Sequence, residues 1–167
     1  AAIGAGDAED AVVAQSVTQA EALWALREGI PEAERRDGKS VKSDISVAVA
    51  DVAAFHEAAV AMVRAHFPTA RPLVFGHLGD GNLHWNIRPP LDEPDWAKGR
   101  GEEARAMLHD LVTQWRGSIS AEHGIGVLKS ADLARLADPA KLHAMRAVKA
   151  ALDPHGVFNP GKIFGSA

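Results

Sequence analysis

Apolar positions recur along this chain with two different periods, and the changes from one period to the other predict its elements. From about Ser16 to Gly29, Val17, Ala20, Leu23, Trp24 and Leu26 form a stripe at helical spacing, and Gly29 is a fitting stop. Residues 31–43 then read as a polar connection. Asp44 to Ala50 switches to strict alternation, with Ile45, Val47 and Val49 on one face and Asp44, Ser46 and Ala48 on the other. Asp51 is placed to cap a helix running to about His66. Two strands follow at 71–78 and 82–88, and Pro89, Pro90 and Pro94 break the chain. A helix is expected from Asp95 to Arg116, a short strand at 117–120, and a last helix from Asp138-Pro139 to Leu152. The tail from Asp153 to Lys162 is dense in turn formers. From residue 44 the order is β-α-β-β-α-β. That order predicts an α+β fold of ferredoxin-like type: an antiparallel sheet in the order 4-1-3-2, helices on one face, and helical extensions at both ends. Residues 1–15 read as a disordered or truncated segment and 16–167 as a single domain.

The chemistry concentrates where the strands turn. Asp80-Gly81 between alternating runs is a strong signal for a two-residue hairpin, because Gly accepts the positive φ of a type I′ turn. Centring the turn there sets His77 opposite His84, a cross-strand pair with Cβ atoms roughly 5 Å apart and able to grip one ion. His84, Asn86 and Arg88 then share a polar face, while Leu83, Trp85 and Ile87 share an apolar one. A second Gly-rich turn, Ala121-Glu122-His123-Gly124-Ile125-Gly126, follows the fourth expected strand and brings a carboxylate and a third imidazole to the same face. A lone strand histidine is ordinarily a hydrogen-bonded structural residue. This combination is instead the raw material of a metal site with a general base beside it. Trp24, Trp85, Trp96 and Trp115 read as core or edge packing. His56, His66, His109 and His143 read as solvated or capping positions on helices.

Composition narrows the chemistry further. The chain has 167 residues, a net charge of −4 with mixed signs and no cysteine. No basic footprint for nucleic acid is expected. Disulfides, thiolate zinc sites and thiol catalysis are excluded, so any metal must be held by imidazole, carboxylate or water. No apolar run approaches the ~20 residues of a membrane span. The first ten residues lack the basic and apolar regions of a signal peptide, which makes the cytoplasm the expected compartment.

Four stretches together resemble the C-terminal domain of FAD-linked oxidases of the vanillyl-alcohol oxidase type. The nearest branch holds the D-2-hydroxyglutarate and D-lactate dehydrogenases and the glycolate oxidase flavin subunit. The stretches are Leu23-Trp24-Ala25-Leu26-Arg27-Glu28 with Lys42-Ser43-Asp44-Ile45-Ser46-Val47; Gly76 through Asn86; Glu122 through Gly126; and Asp153 through Lys162. They span nearly the whole chain from residue 23 to 164. Two positions depart from the pattern. Pro31 stands where the hydroxyglutarate enzymes tend to carry Thr, and Ala48 stands where Pro is common. The first bears on the substrate more than on the reaction.

The resemblance implies a role for each matching residue. His77, His84 and Glu122 correspond to metal ligands, and His123 to the base that takes the substrate hydroxyl proton. Asn86 corresponds to a substrate contact, and Arg27 and Lys42 to cations that hold substrate carboxylates. Asn159 and Lys162 lie in the segment that returns towards the flavin. The implied cofactors are FAD, held mainly by a domain this chain lacks, and a divalent metal, with zinc the first expectation. The implied partners are a small 2-hydroxy acid, the FAD-binding domain of a longer parent protein and a second copy of the chain as a homodimer. The expected reaction oxidises a 2-hydroxy acid to a 2-oxo acid with hydride passing to FAD, and this portion alone is expected to turn over nothing. Two other readings use the same residues: a metal-dependent hydrolase, and a non-catalytic ligand-binding or assembly module.

Overall fold

In a computed structural model, which describes residues 2–6, 8–91, 93 and 95–165, the chain divides into two units, Ala1–Lys39 and Ser40–Ala167. The division falls inside the stretch read as one domain from the sequence.

The first unit is helical. A single turn, α1 (Ala2–Ala5), lies within the segment expected to be disordered or truncated. Helix α2 (Val17–Glu28) starts where Ser16 accepts a hydrogen bond from the Gln19 N–H, and Gly29 follows its last residue. The expected stripe marks this helix correctly but is not a buried face. Leu23 is 44% exposed, Trp24 63% and Leu26 74%, so the reading of Trp24 as a packed side chain is corrected. The polar connection expected from 31 is in part a second helix, α3 (Ile30–Asp37). Its apolar content is too low for a period to show. Charge order sustains it instead: Pro31 sits in the first turn, and Glu32 pairs with Arg35 and Arg36 at helical spacing.

The second unit is built on a three-stranded antiparallel sheet. Its elements are β1 (Asp44–Ser46), α4 (Val52–His66), β2 (Arg71–His77), β3 (Asn82–Arg88), α5 (Arg100–Gln114), α6 (Ser130–Leu136) and α7 (Pro139–Leu152), with the strands ordered β1-β3-β2. Leu83, Trp85 and Ile87 of β3 and Ile45 of β1 form one core with Phe55, Ala59 and Val63 of α4 and Ala104, Leu108 and Val112 of α5. Both helices therefore cover the apolar side, as the alternation predicts. Trp85 and Phe55 are fully buried, and truncating either to Ala should cost about 3–5 kcal/mol. Trp96 packs edge-on against Phe67, and Trp115 edge-on against Phe55.

Several boundaries differ from expectation for local reasons. β1 stops at Ser46, and Val49–Asp51 is a 3-10 turn that runs straight into α4. Asp51 already has helical φ and ψ, so its side chain makes no capping bond. The helix expected from 95 is split, with a 3-10 turn at Trp96–Lys98 and α5 starting after Gly99. Asp138 does cap α7, accepting from the N–H groups of Ala140 and Lys141. Helix α6 lacks a long enough apolar period to be read in advance.

The fourth expected strand is reduced to one bridge. Ser118 and Ser46 exchange N–H···O bonds of 2.9 and 2.8 Å on the edge of β1 away from β3. Gly117 permits this approach, because a Cβ there would lie 2.3 Å from the Ser46 carbonyl oxygen.

Candidate active site

The hairpin register decides which side chains meet. His77 pairs with Asn82 and Phe75 with His84, so the loop is Leu78–Gly81 and not the two-residue turn that would set His77 opposite His84. The reason is at the tip. Gly81 has φ 74°, donates to the His77 carbonyl at 3.1 Å, and lies so close to Val47 that a Cβ would sit 2.0 Å from its carbonyl oxygen. Asp80 then accepts from the Asn82 N–H at 3.0 Å, an Asx turn that restarts the strand. The register moves by two residues, and two is the side-chain period of a strand. His77 and His84 consequently remain on one face as diagonal neighbours, their ring centroids 5.7 Å apart and nearly perpendicular.

Glu122 joins them from the loop after the Ser118 bridge. Its Oε1 lies 3.3 Å from His77 Nδ1 and its Oε2 3.9 Å from His84 Nε2. The two contacts use different oxygens of Glu122, and the three donors whose atoms all lie within 4.8 Å of one another are those of His84, Glu122 and Asp44, with His77 outside that group. Burial pushes the His84 pKa down, a shift only partly opposed by Glu122 and Asp44, so the ring is held neutral with a lone pair to offer. His123 lies on the other side, its ring stacked on that of His84 at 6.1 Å and its side chain 66% exposed. The structure therefore brings His77, His84, Glu122 and His123 together around β3, with the donor chemistry of a divalent-ion site and an accessible imidazole beside it.

Asp44, which the alternation puts on the polar face without assigning it a role, completes the cluster. It pairs with His84 across β1 and β3. Donor atoms of Asp44, His84 and Glu122 all lie within 4.8 Å of one another. Asp44 Oδ2 accepts from the backbone N–H groups of both Glu122 and His123 at 2.9 Å, and it lies 3.3 Å from His123 Nδ1. Burial pushes this carboxyl up. The two N–H groups, with His123 and Lys129, outweigh that effect and hold it below the usual carboxylate range. The available signal was the alternation that puts Asp44 and His84 on one face. Lys129 was also missed: its Nζ donates to Ser120 Oγ at 2.9 Å, and burial lowers its pKa.

The remaining expected site residues are distributed elsewhere. Asn86 is on the same face of β3, but it is buried, and its Oδ1 accepts from the Ser43 N–H at 3.3 Å. Lys42 is exposed just before β1. Arg27 is in the last turn of α2, in the first unit. Asn159 and Lys162 are exposed in the tail and line a cleft of about 380 Å³ with Lys149 and Gly156. The tail itself is tied back. Asp153 accepts from the N–H groups of Val157 and Phe158, and the Ile163 N–H donates to the Gly126 carbonyl at 2.7 Å, next to the Glu122–His123 turn. His109 is fully buried, which corrects its reading as solvated or capping. No helix among the described residues is long and apolar enough to cross a membrane.

Comparison with known proteins identifies the family. The chain is 42% identical over 158 residues to a D-2-hydroxyglutarate dehydrogenase of Stutzerimonas stutzeri, a match covering 94% of this chain and 34% of that relative. It is 36% identical over 163 residues to the mitochondrial D-2-hydroxyglutarate dehydrogenase of Arabidopsis thaliana, covering 95% and 27%. With the mitochondrial enzyme of Rattus norvegicus it is 37% identical over 158 residues, covering 92% and 28%. The chain thus spans about a third or less of the length of these curated relatives. Residues 1–163 match the family model described as FAD linked oxidases, C-terminal domain, and the chain belongs to that family.

Proposed function

We propose that this chain is the substrate- and metal-binding part of an FAD-dependent D-2-hydroxy acid dehydrogenase, and that D-2-hydroxyglutarate is the first substrate to test. The observation that carries the reading is the convergence of two imidazoles and one carboxylate, with a third imidazole stacked beside them. His77, His84 and Glu122 would hold the ion, zinc being the first candidate, and leave positions open for a ligand. When bound, the ion supplies Lewis acidity towards a substrate hydroxyl and the flavin supplies a two-electron sink. His123 accepts the hydroxyl proton as the Cα hydrogen leaves with its electron pair. Arg27 and Lys42 are proposed to hold the carboxylates, Asn86 to contact the substrate, and Asn159 and Lys162 to face the flavin.

The bridge at Ser118, placed beside β1, supports a ferredoxin-like order of 4-1-3-2 with a vestigial fourth strand. A homodimer and a cytoplasmic location stay proposals, open to light scattering and cell fractionation. The eukaryotic relatives named above are called mitochondrial.

Calorimetric titration with zinc and with manganese, comparing the chain with His84→Ala, tests the centre of this reading. One saturable site that disappears in the variant is the expected result. Titration curves unchanged by the substitution would refute the ligand assignment. The full-length protein is then assayed against a panel of D-2-hydroxy acids with an artificial electron acceptor, and oxidation of D-2-hydroxyglutarate is expected.

A further inference from the structure

The loop that delivers Glu122 and His123 has little regular structure to hold it. Ser118 makes a single bridge to β1, and the next helix, α6, starts at Ser130. One residue takes the amides at the start of the intervening turn. The Asp44 carbonyl accepts from the Ala121 N–H at 3.2 Å, and its carboxylate Oδ2 accepts from the N–H groups of Glu122 and His123. Three consecutive amides therefore end on Asp44. The same oxygen lies 3.3 Å from His123 Nδ1. Behind the turn, Ser120 Oγ donates to the Gly124 carbonyl at 2.6 Å and accepts from Lys129 Nζ, whose ammonium is 3.9 Å from Asp44 Oδ2. The carboxylate is 95% buried, and a buried charge is retained only where bonds of this kind compensate its desolvation.

We propose that Asp44 is the positioning residue of this site: it clamps the Glu122–His123 turn and orients the His123 imidazole. The inference rests on the function proposed above and adds a residue to it. With Asp44 facing Nδ1, the ring carries its proton on that nitrogen and presents Nε2 as the acceptor. The same clamp turns Glu122 towards His77 and His84. Asp44 does this without touching substrate, so its effect passes through the two residues it holds.

The test uses the full-length flavoprotein that carries this chain, with Asp44→Ala, Asp44→Asn and Asp44→Glu beside His84→Ala. Asp44→Ala is expected to lower kcat about 100-fold with KM changed by less than about threefold, the pattern of a misplaced reacting group. Asp44→Asn keeps an acceptor for both amides and is expected to recover kcat to within about tenfold of wild type. Asp44→Glu keeps the charge but displaces the oxygen, so it should fall below Asp44→Asn. Hydrogen exchange of the peptide spanning 121–128 gives a readout independent of activity. It should speed up by about tenfold or more in Asp44→Ala and stay near wild type in Asp44→Asn.

If Asp44→Ala lowers thermal stability while kcat holds, the residue is a fold anchor only and the proposal is overturned. Loss of zinc binding in Asp44→Asn as complete as in His84→Ala would make Asp44 a ligand, which also overturns it. Should Asp44→Ala fail to fold, the ranking of Asp44→Asn above Asp44→Glu decides. A wild-type protein that oxidises no 2-hydroxy acid overturns the function proposed above, and the exchange and zinc readouts then decide the clamp by themselves.

Discussion

Two histidine–aspartate pairs in the second unit have opposite exposures. In one, His109 is 0% exposed and its Nδ1 lies 2.8 Å from Asp132 Oδ2, with Asp132 13% exposed. In the other, His123 is 66% exposed and Asp44 only 5%. The first pair hides its ring between α5 and α6 and ties the two helices together. Burial holds His109 neutral despite the pull of Asp132, and its Nε2 has no partner among the described residues. The second pair hides its carboxylate and turns its ring outward beside two further imidazoles. The same two residue types make a structural tie in one place and, in the function proposed here, a proton acceptor in the other. What differs is which member of the pair is desolvated.

Substitution of the exposed ring should have the largest effect on activity and almost none on folding. His123→Ala in the full-length protein is expected to lower kcat about 10³-fold, the usual size of a lost general base. Its unfolding free energy should stay within about 0.5 kcal/mol of wild type, because an exposed side chain leaves no cavity. A large loss of stability would erase the contrast drawn above. His109→Ala is the mirror experiment. Emptying a fully buried site and removing the imidazole bonded to Asp132 should cost about 3 kcal/mol in chemical denaturation, with kcat per folded molecule changed by less than about threefold. If activity falls further than that, α6 holds the loop ending at Lys129 more tightly than a simple tie between helices would.

The contrast between the pairs could not have been read from the sequence, although much around it could. Alternation from Asp44 and from Asn82 gave the strands and both faces of the sheet, because period two survives any even shift of register. That is why His77 and His84 meet although their pairing was misplaced by two residues. The helices expected from Asp51 to His66 and from Asp95 to Arg116 correspond to α4 and α5, which cover the core. The burial of a polar side chain, by contrast, depends on distant chain. His109 sits on an ordinary helical segment and becomes internal only because α6, which has no strong period, returns over it. Asp44 lies within a stretch that carries the family resemblance, but its bonding depends on amides 78 and 79 positions later in the chain. Trp24 shows the opposite failure, an apolar period that marks a helix without implying burial.

Acid titration provides a smaller and more selective probe of the buried pair. Burial depresses the pKa of His109 below its ordinary value of 6.5. In the window just below 6.5 the unfolded chain therefore binds a proton that the folded chain refuses, so stability rises with pH there. His109 thus contributes its full effect above 6.5 and loses it progressively as pH falls through the folded-state pKa. Asp44 and Asp132, both held below 3.8, act in a separate window: their contribution is present above 3.8 and lost at lower pH. Melting curves between pH 7 and 5, compared with His109→Phe, should show a steeper slope in wild type than in the variant, where the depressed pKa of His84 still contributes a slope of the same sign. Equal slopes in the two proteins would mean that the depressed His109 pKa is not what sets acid sensitivity in this range.

The smallest expected effect tests whether the buried pair stands alone. Arg135 forks between Asp110 on α5 and Asp132 on α6, its second bond 3.1 Å long, with the guanidinium 45% exposed. Solvent screens such a pair, so Arg135→Ala should cost only about 0.5 kcal/mol. The informative quantity is its coupling to His109. Asp132 is held from both sides, by the imidazole and by the guanidinium, and these bonds lower its pKa even though burial opposes them. Once His109 is gone, Arg135 is the remaining side-chain partner of this partly desolvated carboxylate among the described residues, and its removal should then cost more than in wild type. A double-mutant cycle on His109→Ala and Arg135→Ala should accordingly show a coupling of about 0.5 kcal/mol or more. Strict additivity would show that Asp132 relaxes into solvent when either partner leaves, and that the link between α5 and α6 is made by packing around His109 and not by the charge it faces.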